Sequence, residues 1–122
     1  MKRFHRFLSG SIVLGCLCLC FSACGSDFTS PATPAGTTAT AGKNQVTIAW
    51  TAVSGATSYN IYWSTVAGVT GPVGTNGTPI FNVTSPFTQT GLTAGTTYYY
   101  VVTSMNANAE SPASDQVSAV PF

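Results

Sequence analysis

Residues 97–105 carry the strongest strand pattern in the chain. Tyr98, Tyr100, Val102 and Ser104 fall on one side of an extended backbone, and Tyr99, Val101, Thr103 and Met105 on the other. Side chains of a strand alternate between faces, and aromatic and β-branched residues suit a pleated surface, so this run predicts a strand. The same two-residue period puts Val46, Ile48 and Trp50 on one face of 45–50, with Thr47 and Ala49 on the other. In 58–64 it puts Tyr59, Ile61 and Trp63 on one side and Asn60, Tyr62 and Ser64 on the opposite side. Shorter strands are expected at 80–84 and 87–90, separated by Ser85 and Pro86, and at 116–120. Ser54, Gly55 and Ala56 turn the chain between the first two of these strands. Between 67 and 79 the density of Gly, Pro and Asn forbids helix, and Asn76-Gly77 predicts a type I′ hairpin turn. No part of this stretch has a 3.6-residue period. The sequence therefore predicts an all-β sandwich over residues 37–122, the length of one small domain.

The run Gly91-Leu92-Thr93-Ala94-Gly95-Thr96-Thr97-Tyr98, followed by Val102, Asn106 and Glu110-Ser111-Pro112-Ala113-Ser114, resembles the E to G region of a fibronectin type III domain. Trp50 and Tyr59 resemble the B- and C-strand signatures of that family, and the resemblance spans nearly all of 37–122. It implies an immunoglobulin-like sandwich of seven strands. Leu92 and Tyr98 then take the places of the leucine and tyrosine of the tyrosine corner, where the phenol hydrogen-bonds back to main chain across the E–F bend. Ala94 stands where the family commonly has proline. The loop 106–110 lies where some members carry Arg-Gly-Asp, and that triplet is not present here. The expected core is Trp50, Tyr59, Ile61, Leu92, Tyr98, Tyr100 and Val102. It has to hold the domain without a disulfide, because Cys24 is the last cysteine of the sequence.

Ahead of this domain, residues 1–23 read as a secretory signal. Lys2, Arg3 and Arg6 make a basic start, and 7–21 is apolar apart from Ser9 and Ser11. An apolar run of 15 residues is shorter than the roughly 20 that a membrane-spanning helix needs. Phe21-Ser22-Ala23-Cys24 resembles the lipobox of bacterial lipoproteins, with Phe21 where that family usually has an aliphatic residue. The resemblance implies a diacylglyceryl thioether on Cys24, cleavage before it, and a mature protein held on a membrane by several acyl chains. A single chain anchors only marginally, whereas two or more hold a protein for long times. Cys16, Cys18 and Cys20 read as small hydrophobes removed with the signal. Residues 24–36, the lipidated cysteine and a stretch containing Pro31 and Pro34, read as a tether to the domain.

Loss of residues 1–23 changes the charge argument. The net charge of +1 belongs to the whole chain. After Cys24 the charged side chains are Asp27, Lys43, Glu110 and Asp115, so the mature protein is weakly acidic. No basic stripe exists to neutralise phosphates, and nucleic acid is not an expected partner. Near-neutral charge on a Ser-, Thr- and Gly-rich surface leaves self-association open. The one histidine, His5, lies in the signal. Serine and threonine hydroxyls therefore lack a base to activate them, and Glu110 and Asp115 give no reason to face each other across a cleft. Two acids are too few for calcium. The sequence predicts no enzyme activity, no metal and no cofactor other than the lipid on Cys24. Asn82-Val83-Thr84 matches the N-glycosylation acceptor, a modification uncommon in the bacterial setting that the signal implies.

The candidate binding face is the outer side of the sheet carrying the 58–64 and 97–105 strands, where Tyr62, Tyr99 and Val101 point away from the expected core. Tyrosine rings suit sugars and protein edges, while cross-strand packing is the plainer role for the same residues. The expected function is a lipid-anchored module at the cell envelope that holds a protein or polysaccharide partner. The alternatives are a self-assembling envelope component and an accessory domain separated from a longer secreted enzyme. Gly25 after the cysteine lacks the aspartate that resembles an inner-membrane retention signal, so the expected location is the outer membrane, on its periplasmic face or at the cell surface.

Overall fold

The computed structural model describes residues 29–72 and 76–122; the segment 1–23 expected to be a signal, with Cys16, Cys18 and Cys20, and the expected lipidation site Cys24 lie outside the described residues. Seven strands form: β1 (Thr38–Gly42), β2 (Gln45–Ala49), β3 (Ser58–Ser64), β4 (Thr78–Val83), β5 (Phe87–Thr90), β6 (Tyr98–Met105) and β7 (Val117–Ala119). They make a three-stranded sheet in the order β1-β2-β5 and a four-stranded sheet in the order β4-β3-β6-β7, with all pairings antiparallel. This is the all-β, two-sheet sandwich that the alternation predicts.

The inward faces of the two sheets meet in one core. Val46, Ile48, Trp50, Ile61, Val83, Leu92, Tyr98, Tyr100 and Val102 are buried together, with Tyr59 and Trp63 packed against them. Trp50 lies just past the end of β2 but keeps its inward direction, with its ring 5.3 Å from that of Tyr59 at 58°. The tilted arrangement suits the charge distribution of two aromatic faces. Ser85 fixes the neighbouring backbone, accepting from Trp50 N–H at 2.9 Å and donating to Trp50 C=O at 3.0 Å. The tyrosine corner is formed: Thr93 N–H donates to the Tyr98 hydroxyl at 3.0 Å. Below it, the Asn44 side chain donates to Leu92 C=O at 3.1 Å, and Phe122 exchanges main-chain bonds with Gly42 and Asn44. The E–F bend and the β1–β2 turn are thereby joined at one pole.

Three expectations are completed or corrected. β1 is the seventh strand that the resemblance implies but the alternation does not place; its residues are small or hydroxylated, and only Ala39 among them packs on the core, so its two-residue period carries little hydrophobic contrast. Its turn into β2 uses Asn44 at φ 54°, a conformation that asparagine tolerates better than most residues. At Asn76-Gly77 the type I′ turn does not form, because Gly77 is outside the left-handed region that such a turn needs at both central positions. Gly77 serves close packing instead: a Cβ there would sit 2.8 Å from Val69 Cγ1.

The third of these concerns the tether. Its described part, 29–36, lies on the domain. Pro31 and Pro34 are buried, Ala32 C=O accepts from Ser104 Oγ at 2.6 Å, and Ala35 C=O accepts from Thr51 N–H at 2.9 Å. Proline lowers the entropy that an extended segment loses on docking, and the hydroxyl of Ser104 satisfies a carbonyl that is not in a strand.

Candidate functional site: the outer face of the four-stranded sheet

β6 is buried on both sides, and the reason is a loop. Residues 65–72, after β3, fold across the outer face of the sheet. Gln116 Oε1 accepts from the main-chain N–H of Gly68 and of Val69, at 2.8 and 3.0 Å, and Asn76 Nδ2 donates to Gly68 C=O at 2.7 Å. Gly71, at φ 83°, passes so close to Ala113 that an added Cβ would stand 3.0 Å from the alanine Cβ. Held in this way, the loop seats Val69 on Tyr62 and Val101, with Tyr99 and Ala113 at the margin.

The expected open face is therefore corrected. Tyr62 and Val101 do point away from the main core, but they are 4 % and 2 % exposed, and Tyr99 is half-buried. They form a second, smaller apolar cluster and offer no free stacking platform. Sequence periodicity shows which side of a sheet a residue takes, but not whether a distant loop covers that side.

Beside this cluster lies a polar centre that the sequence reading did not single out. Glu110 Oε1 accepts three hydrogen bonds, from Tyr62 Oη at 2.8 Å, Asn60 Nδ2 at 3.0 Å and Thr103 Oγ1 at 2.5 Å. Asn60 and Thr103 are cross-strand partners in the β3–β6 register, and Tyr62 is the next outward residue along β3. Glu110 reaches them because a tight turn brings it back to pair with Met105. In that turn Asn106 Oδ1 accepts from Asn108 N–H and Ala109 N–H, each at 2.8 Å. The Asx geometry is a local preference of asparagine. Asn60 is 3 % exposed and Thr103 fully buried, so their polar atoms need these partners. The alternation places Asn60 and Thr103 on the outward sides of their strands, but their pairing depends on the β3–β6 register and the return of Glu110 on the turn.

The environment raises the Tyr62 phenol from its ordinary pKa of 10.0 to about 12, first through desolvation and then through donation to, and repulsion by, the Glu110 carboxylate. Burial, followed by the nearby Tyr98, also raises the Tyr100 phenol. Folding thus favours the neutral phenols. The Tyr62 contribution to stability is intact below pH 10 and is lost as pH rises from there through about 12, and the Tyr100 contribution is lost in the same direction. The melting temperature is expected to hold up to about pH 9.5 and then fall, with a shallower fall in Tyr62→Phe. An identical alkaline slope in the variant would remove Tyr62 from this account.

At the open edge of the same face stands β4. Ile80 partners Ile61 and packs on the core, so Phe81 is turned outward and is 60 % exposed. The register shifts opposite Tyr59 and Ile61, where Asn82 takes φ 58° and its N–H donates to Asn60 Oδ1 at 3.2 Å. Elsewhere a shallow groove of about 450 Å³ runs between 33–37 and Ala113 and Asp115. No group of three or more His, Cys, Asp or Glu residues able to hold a metal occurs among the described residues.

The order of strands, the tyrosine corner and the sheet pairing agree with comparison to known proteins. Residues 32–120 match the fibronectin type III domain family. The chain belongs to that family. No curated protein sequence matches it. Among solved structures, a fibronectin type III-like protein from Clostridium thermocellum shares 33 % identity, with a TM-score of 0.58, over 77 % of this chain and 93 % of that one. A β-1,2-glucanase from Parabacteroides distasonis aligns at 24 % identity and TM-score 0.62 over 78 % of this chain but 13 % of its own. The FN1-FN3 domains of chicken CNTN1 align at 15 % identity and TM-score 0.59, over 75 % of this chain and 31 % of theirs. The last two likenesses establish the fold alone.

Proposed function

We propose that this fibronectin type III chain is a non-catalytic interaction module of a bacterial cell envelope, held on a membrane by lipid on Cys24. The observation that carries the reading is how close the folded domain comes to that cysteine. The family match begins at residue 32, and Pro31 is already buried. A domain packed so near the anchor is held within roughly 26 Å of the bilayer by at most eight extended residues. Tethering at this range raises the local concentration of any envelope partner. The surface on offer is the β4 edge of the four-stranded sheet, where Phe81 is exposed and Asn82 is linked through Asn60 to Glu110, since the loop 65–72 covers Tyr62 and Val101.

The test is protease treatment of intact cells, with Cys24→Ala as the unanchored control. The chain is expected in the membrane fraction and the variant in soluble form. An equal distribution of the two would end the anchoring reading. Degradation on whole cells would place the partner outside the cell, and protection until the outer membrane is permeabilised would place it in the periplasm. A second reading, an accessory domain working beside a secreted hydrolase, draws on the similar domain within the glucanase chain. Adjacent reading frames encoding such a hydrolase would favour it.

A further inference from the structure

Among the described residues, Phe81 is the one large aromatic side chain on the outer face of the four-stranded sheet that is open to solvent, at 60 % exposure, whereas Tyr62 is covered and Tyr99 half-covered. It does not stand alone. Asn60 links it to Glu110: the Asn60 Oδ1 accepts from Asn82 N–H at 3.2 Å, and its Nδ2 donates to Glu110 Oε1 at 3.0 Å. Phe81 and the Glu110 carboxylate thus lie one to two strand spacings apart, on the order of 5–10 Å, the span of a short oligosaccharide. The three donors Asn60, Tyr62 and Thr103 converge on Glu110 Oε1, and a carboxylate has a second oxygen, Oε2, able to accept from a ligand. The arrangement is built: Asn60 and Tyr62, buried to 3 % and 4 % exposure, fix the carboxylate in place. Asn82 is exposed at the kink of the edge strand, beside Phe81.

We propose that Phe81, Asn82 and Glu110 form a binding site for a neutral glycan chain. The C–H face of one sugar ring packs on the Phe81 ring, a hydroxyl donates to Glu110 Oε2, and the Asn82 amide pairs with a neighbouring hydroxyl. The assignment rests on the interaction-module reading and names its ligand class. The charge balance selects the glycan. Glu110 repels acidic sugars, and the one Lys or Arg among the described residues, Lys43, lies at the β1–β2 turn of the opposite sheet. A peptide strand added to the β4 edge is disfavoured, because Pro79 has no N–H to donate and the Asn82 kink ends the straight part of the edge. An apolar ring with a few placed polar groups is also how sites for neutral ligands are commonly made.

Calorimetric titration of the full chain in detergent with cellohexaose, laminarihexaose and chitohexaose tests the site. At least one is expected to bind, with Kd about 0.1–1 mM for a small, open site. Phe81→Ala is expected to weaken binding at least tenfold, and Glu110→Gln at least threefold, in protein whose thermal transition shows that it is folded. Lys43→Ala, at an exposed residue on the β1–β2 turn of the opposite sheet, is expected to leave binding unchanged. No binding of any of the three at about 10 mM overturns the assignment, as does binding that survives Phe81→Ala. A protein partner recognised through Phe81 and indifferent to Glu110→Gln overturns it too. Membrane retention through Cys24 is read separately, so failure of the glycan site and failure of the anchor remain distinguishable.

Discussion

Trp50→Ala is expected to abolish cooperative unfolding. Trp50 is 6 % exposed, stacks at a tilt on Tyr59 and sits where both sheets contribute to the core. Truncating a buried tryptophan costs about 3–5 kcal/mol through lost burial and the cavity left behind. A domain of this size has only about 0.05–0.15 kcal/mol of stability per residue. The loss therefore removes most of the margin, and nothing covalent in the described domain makes up for it. Thermal unfolding followed by near-ultraviolet circular dichroism checks the expectation. A sharp transition in the variant within a few degrees of the parent would mean that Trp50 is not central to the packing.

Glu110→Ala is expected to cost about 2–4 kcal/mol, because it strands donors on Tyr62, Asn60 and Thr103 together. The loss should spread, since Asn60 also positions Asn82 on the edge strand. Hydrogen exchange is expected to speed up across β3, β4 and the 106–110 turn while the three-stranded sheet stays protected. Glu110→Gln keeps an acceptor oxygen and should retain more than half of the stability difference. If chemical denaturation gives the alanine variant the parent midpoint within error, Glu110 is a bystander on the surface.

These two residues also mark how far the sequence could be read. Trp50 was legible because alternation in 45–50 points it inward and because burying an indole dominates the energetics of any sandwich. Ile61, Tyr98, Tyr100 and Val102 were legible for the same reason and Leu92 through the resemblance to the tyrosine corner, and they meet in the core. β1 was not, since its alternating Thr and Ala residues differ too little in hydrophobicity to show a face. Glu110 escaped because its role depends on a turn that returns it to β6, and on donors 48 and 50 residues earlier in the chain. Tyr62, Tyr99 and Val101 were placed on the correct side, with packing weighed there beside binding, but the loop covering them was not legible, because it is pinned by Gln116, 47 or 48 residues away. Local periodicity sets direction; contacts of long sequence separation decide exposure. The docking of 29–36 belongs to the same class, resting on Ser104 and Thr51 far along the chain.

In the proposed function, the chain's place on a membrane depends on one atom, the sulfur of Cys24. The mass of the mature protein purified from its own cells measures that directly. The account predicts a chain beginning at Cys24 whose first peptide carries the mass of a diacylglyceryl thioether and a further acyl group, and which partitions into detergent. A first peptide with an unmodified thiol, or a chain that starts elsewhere, would contradict it.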